Sequence, residues 1–332
     1  MKHPPRFRQP KFPPPQFPPV KLRLFQRMPP AVFPSVMGLS GLGLTLRQGA
    51  DVYGYPAGLA ELVLGGVSLL WLFATLGYCV KITQRPGVVL DEVKTLPGRY
   101  GLVTMTLGVF LQAAIILPYS AAWALGLMLA GLVVHAGLAL LVLHWVLTAP
   151  TEARRVTPVW HLHFAGFVFA GLISAPLGLD VLTDVLLWGS GALALVVGAI
   201  SLLQMIRQVP PAPLRPILAI HLVPFSLLGI VAALNGQVLA AQVFAGLGLA
   251  ILLALVLNAR WLTVGGFSAL WGAFTFPLAA CASLLFMLGG VLLWPATLLL
   301  VAAIGVVPAI ALKVIRAWTR GALAQKTNAA TA

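Results

Sequence analysis

After residue 30 the chain alternates between long apolar blocks and short polar breaks. A helix needs about 20 apolar residues to cross a bilayer. Ten blocks read as such helices, near 30–46, 57–80, 100–117, 120–146, 158–175, 182–206, 214–234, 238–259, 267–288 and 292–315. The breaks between them carry glycine, proline or charge, as in RQGADVYGYP, TAPTEARRVTP and RQVPPAPLRP.

The blocks fall into two alternating classes. Even spans are smooth Leu/Val/Ala helices, such as LLWGSGALALVVGAISLLQMI. Odd spans are rougher: Pro34 in AVFPSVMGLSG, Pro224 in AIHLVPFSLLG and Pro277 in AFTFPLAACAS. Spans 3 and 5 lack a central proline but carry small or polar residues, in LVTMTLGVF and HLHFAGFVFAG. A proline removes one helical hydrogen bond and frees a carbonyl. Lipid offers that carbonyl no partner, so a kinked helix belongs where it meets protein or water. The expected fold is therefore an all-α integral membrane protein, built as five helical hairpins in a closed ring. Its rough helices face a central pore and its smooth ones face lipid.

Composition and charge agree with this class. Of 332 residues, 60% are hydrophobic and only 8% charged, too few charges for the surface of a water-soluble fold of this length. The net charge of +14 would suit nucleic acid, but its placement does not. With both termini inside, 20 of the 21 Lys and Arg residues fall on the inner side and only Arg47 falls outside, as membrane topology prefers. No nucleic-acid partner is expected. Residues 1–29 read as a basic, proline-rich, disordered cytoplasmic tail with no apolar signal segment. Residues 30–319 read as the transmembrane domain and 320–332 as a short cytoplasmic tail.

The predicted interior is nearly free of fixed charge. With Asp51, Asp180 and Asp184 assigned to the short outer loops, Glu61 is the one carboxylate inside a span, and no Lys or Arg falls mid-span. Cation and proton paths usually show membrane-embedded acids, so such an interior suits small or weakly hydrated anions. His163, His221, Ser35 and Thr275 are candidate polar groups along the path. His135 and His144 share a smooth helix, and His161 and His163, two apart, do not share a face, so no haem or metal ligand set stands out. Cys79 and Cys281 have no CxxC partner and read as buried apolar residues. No phosphate-binding glycine loop, HExxH or GxSxG occurs. No cofactor, metal site or enzymatic activity is expected.

Span 9, FSALWGAFTFPLAACASLLF, resembles the ninth helix of the tellurite-resistance/dicarboxylate transporter family, above all in WGAFTFP from Trp271 to Pro277. PAVFPSVMGLSGLGL and PLRPILAIHLVPFSLLGI fit other segments of that family, and the likeness runs over about residues 28–320. The family includes bacterial tellurite-resistance channels, plant slow anion channels, and malate and sulfite transporters. The resemblance implies a pseudo-five-fold ring of hairpins, assembly as a homotrimer with one pore per subunit, and small anions as partners in the bilayer. It implies that Phe276, just before Pro277, plugs the pore. The same offset before the other kinks gives Phe33 and Val223, and the matching register gives Thr104 and Leu162, as one gating layer. His163, at a kink position without proline, would make conductance depend on pH.

The expected function is a gated channel for chloride or nitrate in a bacterial-type inner membrane. The alternative is a carrier or exporter of C4-dicarboxylate, sulfite or tellurite-related oxyanions. A fixed cation in the binding site would favour the carrier, and none is visible in the sequence. A third class, a membrane-bound redox subunit, would show a haem absorbance band.

Overall fold

A computed structural model describes residues 23–150 and 154–332. Of the tail expected at 1–29, residues 1–22 lie outside the described residues. All regular structure among the described residues is helical. The principal helices are α1 (Phe33–Tyr53), α2 (Gly58–Gln84), α3 (Val88–Lys94), α4 (Leu96–Ile116), α5 (Ala121–Thr148), α6 (Gly171–Ser174), α7 (Asp180–Arg207), α8 (Leu222–Leu234), α9 (Val238–Leu257), α10 (Ala259–Thr263), α11 (Thr275–Leu288), α12 (Leu293–Thr319) and α13 (Ala322–Lys326).

Among the described residues, eight helical stretches are long and apolar enough to cross a membrane. His161–Ser174 is apolar but shorter. Phe33–Tyr53 falls outside the set of eight, and its second half carries Arg47 and Asp51. The chain is a multi-pass membrane protein. Its outward helices carry Leu62, Leu72, Val133, Leu195, Leu253 and Val301 fully or half exposed. In water such a surface would be unfavourable; against lipid tails it is the expected one.

Consecutive helices pack as hairpins: α1 with α2, α4 with α5, α6 and the turns before it with α7, α8 with α9, and α11 with α12. Burial separates the two classes seen in the sequence. The stretches Leu96–Ile116, Ala212–Leu234 and Ala269–Leu288 are 78%, 72% and 78% buried, whereas the smooth partners are 22% to 39% buried. The buried members touch one another in sequence: α1 packs on α4, α4 on α6, α6 on α8, α8 on α11, and α11 on α1.

One expectation about cysteine is corrected. Cys281 is buried, but Cys79 is exposed on α2. It lies among the residues with which α2 faces outward, where an apolar thiol needs no protein neighbour.

The end of the molecule that carries most of the basic residues is pinned by a buried ion pair. Lys81 of α2 and Glu92 of α3, 0% and 1% exposed, meet at 2.6 Å. Lys81 also donates to the Met28 carbonyl at 2.8 Å, fixing the chain just before α1. Glu92 accepts a second bond from the backbone N–H of Ala330, at 3.0 Å. Residues past α12 therefore fold back: Gln26 donates its side-chain amide to the Ala332 carbonyl, and the Ala332 N–H donates to the Gln26 carbonyl. Burial pushes the Glu92 carboxyl above the usual carboxylate range, against the opposing pull of Lys81.

Candidate functional site

The three prolines do not interrupt continuous α-helices. Each sits in the first turn of an α-helix that continues a tighter 3₁₀ turn. Pro30–Val32 leads into α1, Ala212–His221 into α8, and Ala269–Phe274 into α11. Pro34, Pro224 and Pro277 are the second, third and third residues of those helices. The first four N–H groups of an α-helix have no partner within it, so a proline there sacrifices nothing. The expected kinks are thus joints between two helical pitches, and the proline favours the joint's position. The fifth buried segment makes its joint without proline, through a π turn at His161–Ala165 and a 3₁₀ turn at Gly166–Ala170 before α6. The α4 segment is a continuous helix, with the Thr104 hydroxyl bonded back to the Tyr100 and Gly101 carbonyls.

A cavity of about 170 Å³ lies where these segments converge. It draws Gly41, Leu44, Arg47 and Gln48 from α1, Leu111 and Ala114 from α4, and Leu172 from α6. Leu227, Ile230 and Leu234 come from α8, and Phe276, Ala280, Ser283 and Met287 from α11. All five inner segments contribute. Phe276 and Gly41 mark one end, and Arg47, Leu234 and Met287 the other.

Phe276 is 4% exposed, and its ring stacks on that of Phe169 with centroids 5.3 Å apart and planes at 28°. On the other side it meets the bare backbone of α1, where a Cβ at Gly41 would lie 2.8 Å from the Phe276 Cδ2 atom. The next contact holds the two helices in register. Thr275 donates to the Gly272 carbonyl at 2.7 Å and lies 3.3 Å from the Pro34 carbonyl. A Cβ at Gly38 would fall 2.0 Å from the Thr275 hydroxyl.

Phe33, Thr104, Leu162 and Val223 are all buried. None lines the cavity, and Gly41, the α1 residue against Phe276, lies eight residues past Phe33. The structure brings Phe276 together with Phe169 and Gly41, which the proline-based register missed. Phe169 sits in GFVFAG, inside the 3₁₀ turn of the joint, with no proline to mark it.

The polar candidates also sit elsewhere than on the cavity wall. Ser35 and His163 are buried, with no hydrogen-bond partner for the Ser35 hydroxyl or either His163 ring nitrogen among the described residues. His221 is bonded at both nitrogens, to His161 at 2.8 Å and to Ser201 of α7 at 3.1 Å. Among the described residues no group of three or more His, Cys, Asp or Glu side chains is placed to hold a metal ion.

The sequence model of the voltage-dependent anion channel (SLAC1) family matches residues 27–318. The chain belongs to that family. No curated relative matches it. The family's members move anions across membranes rather than catalyse reactions, in keeping with the tellurite-resistance/dicarboxylate likeness of the ninth segment.

In this member of the anion channel family the cavity is not free of charge. Arg47 lies inside α1, not in the loop beyond it, and lines the cavity. Its Nε and Nη2 atoms donate to the two oxygens of Glu61 on α2, at 2.7 and 2.9 Å. Nη2 also approaches the Ile115 carbonyl at 3.3 Å. Tyr119 donates its hydroxyl to Glu61 at 2.7 Å, and that carboxylate holds the phenol above its ordinary range. The expectation of a charge-free interior is corrected: Arg47 faces the cavity, and Glu61 of α2 neutralises it from behind.

Proposed function

We propose that the protein is a gated channel that passes small monovalent anions such as chloride and nitrate through a pore lined by the five buried segments. The observation that carries this reading is the shared cavity, to which all five segments contribute and which ends on Phe276. Read this way, the circuit of contacts from α1 through α4, α6, α8 and α11 is a pseudo-five-fold ring of ten crossings. Phe276 is its plug, wedged between Phe169 and the glycine face of α1. A stacked aromatic pair in a narrow apolar throat blocks passage both sterically and by excluding water. The gating layer is Phe276 with Phe169 and Gly41, rather than Phe33, Thr104, Leu162 and Val223, which lie off the cavity. The short-loop end with Arg47 faces outward and the basic end faces the cytoplasm of a bacterial-type inner membrane, with three copies per assembly.

The alternative reading, a carrier of dicarboxylate, sulfite or related oxyanions, draws support from one observation: Arg47 is a fixed cation on the cavity wall. Its pairing with Glu61 leaves too little net charge to hold a dianion, and the channel reading is preferred.

The test is anion current across a bilayer containing the protein, wild type against Phe276→Ala. A nearly silent wild type and a strongly conducting alanine form support the plug. A folded alanine variant that conducts no better than wild type refutes it.

A further inference from the structure

Arg47 and Glu61 are placed asymmetrically about the cavity. Arg47 lines it, whereas Glu61 on α2 stands behind and does not. The bidentate bonds use Nε and Nη2 of the guanidinium. The remaining nitrogen, Nη1, makes no hydrogen bond among the described residues, although Arg47 is largely buried, with a side chain 18% exposed. The pair is therefore a fixed dipole with its positive end on the cavity side and one donor nitrogen, Nη1, left free. Tyr119 and the Ile115 carbonyl hold it in that orientation.

We infer that Arg47 is an anion-binding and selecting group at the end of this cavity away from Phe276, and that Glu61 tunes it to monovalent anions. This rests on the channel reading for the route of the ion, but the binding itself does not require conduction. An anion entering the cavity gives up part of its hydration, a penalty that grows with the square of its charge. Its attraction to a fixed dipole grows only in proportion to the charge. A neutralised arginine thus suffices for chloride or nitrate and fails for sulfate or a dicarboxylate. The apolar neighbours Leu44, Leu234 and Met287 supply no second cation to make up the difference. An unpaired arginine would bind more strongly and admit dianions.

The experiment compares Arg47→Gln, Glu61→Gln and the double variant, each in the conducting Phe276→Ala background, from low to high chloride. Arg47→Gln is expected to reduce conductance by about three- to tenfold at low chloride and to converge on its parent at high chloride, where salt replaces local enrichment. Glu61→Gln is expected to lower the half-saturating chloride concentration several-fold and to raise the sulfate-to-chloride permeability ratio. The double variant, which leaves no unpaired charge to disturb folding, is expected to follow Arg47→Gln. Identical conductance–concentration curves in all three folded forms overturn the inference while leaving the plug intact. If the Phe276→Ala parent itself passes no current, the channel reading fails separately. Arg47 is then judged by chloride NMR line broadening with the purified proteins. Broadening reduced by Arg47→Gln and increased by Glu61→Gln upholds the site; unchanged broadening removes it.

Discussion

The rings of Phe169 and Phe276 lie nearly parallel with centroids 5.3 Å apart, although 107 residues separate them in the chain. Each closes one side of the other's position, so on the channel reading proposed above the plug is this pair. Aromatic pairs of this kind contribute about 0.5–1.5 kcal/mol beyond their buried area. Phe169→Ala is therefore expected to raise anion current about two- to tenfold, less than Phe276→Ala does. Bilayer recordings of the two variants check the order.

Two glycines of α1 should respond differently to the same methyl group. At Gly38 the added carbon would fall 2.0 Å from the Thr275 hydroxyl and 3.2 Å from the Phe276 backbone nitrogen, leaving no room between α1 and α11. Gly38→Ala is expected to lower the melting temperature clearly. At Gly41 the clash, at 2.8 Å, is with the Cδ2–Cε2 edge of the Phe276 ring, a side chain that can shift about its own torsions, and no backbone atom lies as close. Gly41→Ala is expected to keep the fold and change the basal current. Thermal melting in detergent and recordings together separate the two outcomes.

The buried pair Lys81–Glu92 and the surface cluster around Asp91 should differ in weight. Lys81→Met strands a buried carboxylate and is expected to destabilise by about 3–5 kcal/mol, whereas Lys81→Met/Glu92→Leu recovers most of that. Asp91 bonds Arg85 and Lys94 at 2.7 and 2.9 Å but is 39% exposed, so Asp91→Asn is expected to change stability by at most about 1 kcal/mol. The sign of the pH effect follows from burial. A raised Glu92 pKa means the folded state holds its proton more tightly than the unfolded chain. Relative to Glu92→Gln, the wild type gains stability as pH falls through that raised value toward the ordinary carboxylate range. Melting curves from neutral to mildly acidic pH test it.

The histidine pair offers a check on the redox reading. His161 and His221 face one another at 2.8 Å, nitrogen to nitrogen, so these nitrogens bond each other and leave no gap for an iron between them. Purified protein is expected to be colourless in the haem region. His221→Leu, which leaves the His161 and Ser201 groups without a partner, is expected to cost about 1–3 kcal/mol of stability.

Much of this architecture could be read from the chain. The alternation of smooth and rough blocks anticipated which helices are buried, because lipid-facing and protein-facing helices obey different rules of composition. Pro34, Pro224 and Pro277 marked the joints. What they did not reveal was the change of pitch, since a proline in a first turn and one that breaks a helix look alike in sequence. Phe169 was hidden because its segment bends through glycines and a π turn. Arg47 was misplaced because charge ends an apolar block, although the helix itself runs on to Tyr53. Its partner lies fourteen residues away, across a turn, at no spacing that a one-helix pattern records.

The joint before α11 has a mechanical consequence. A 3₁₀ helix turns each residue by about 120° and rises about 2.0 Å, whereas an α-helix turns about 100° and rises about 1.5 Å. Phe276 is the second residue beyond that boundary. If the boundary slips by one residue, everything past it rotates by about 20° and shifts by about half an ångström, with Pro277 still in the first turn. Such a helix behaves as a screw with two thread pitches, whose slip would turn its aromatic head against Phe169 without swinging on a hinge.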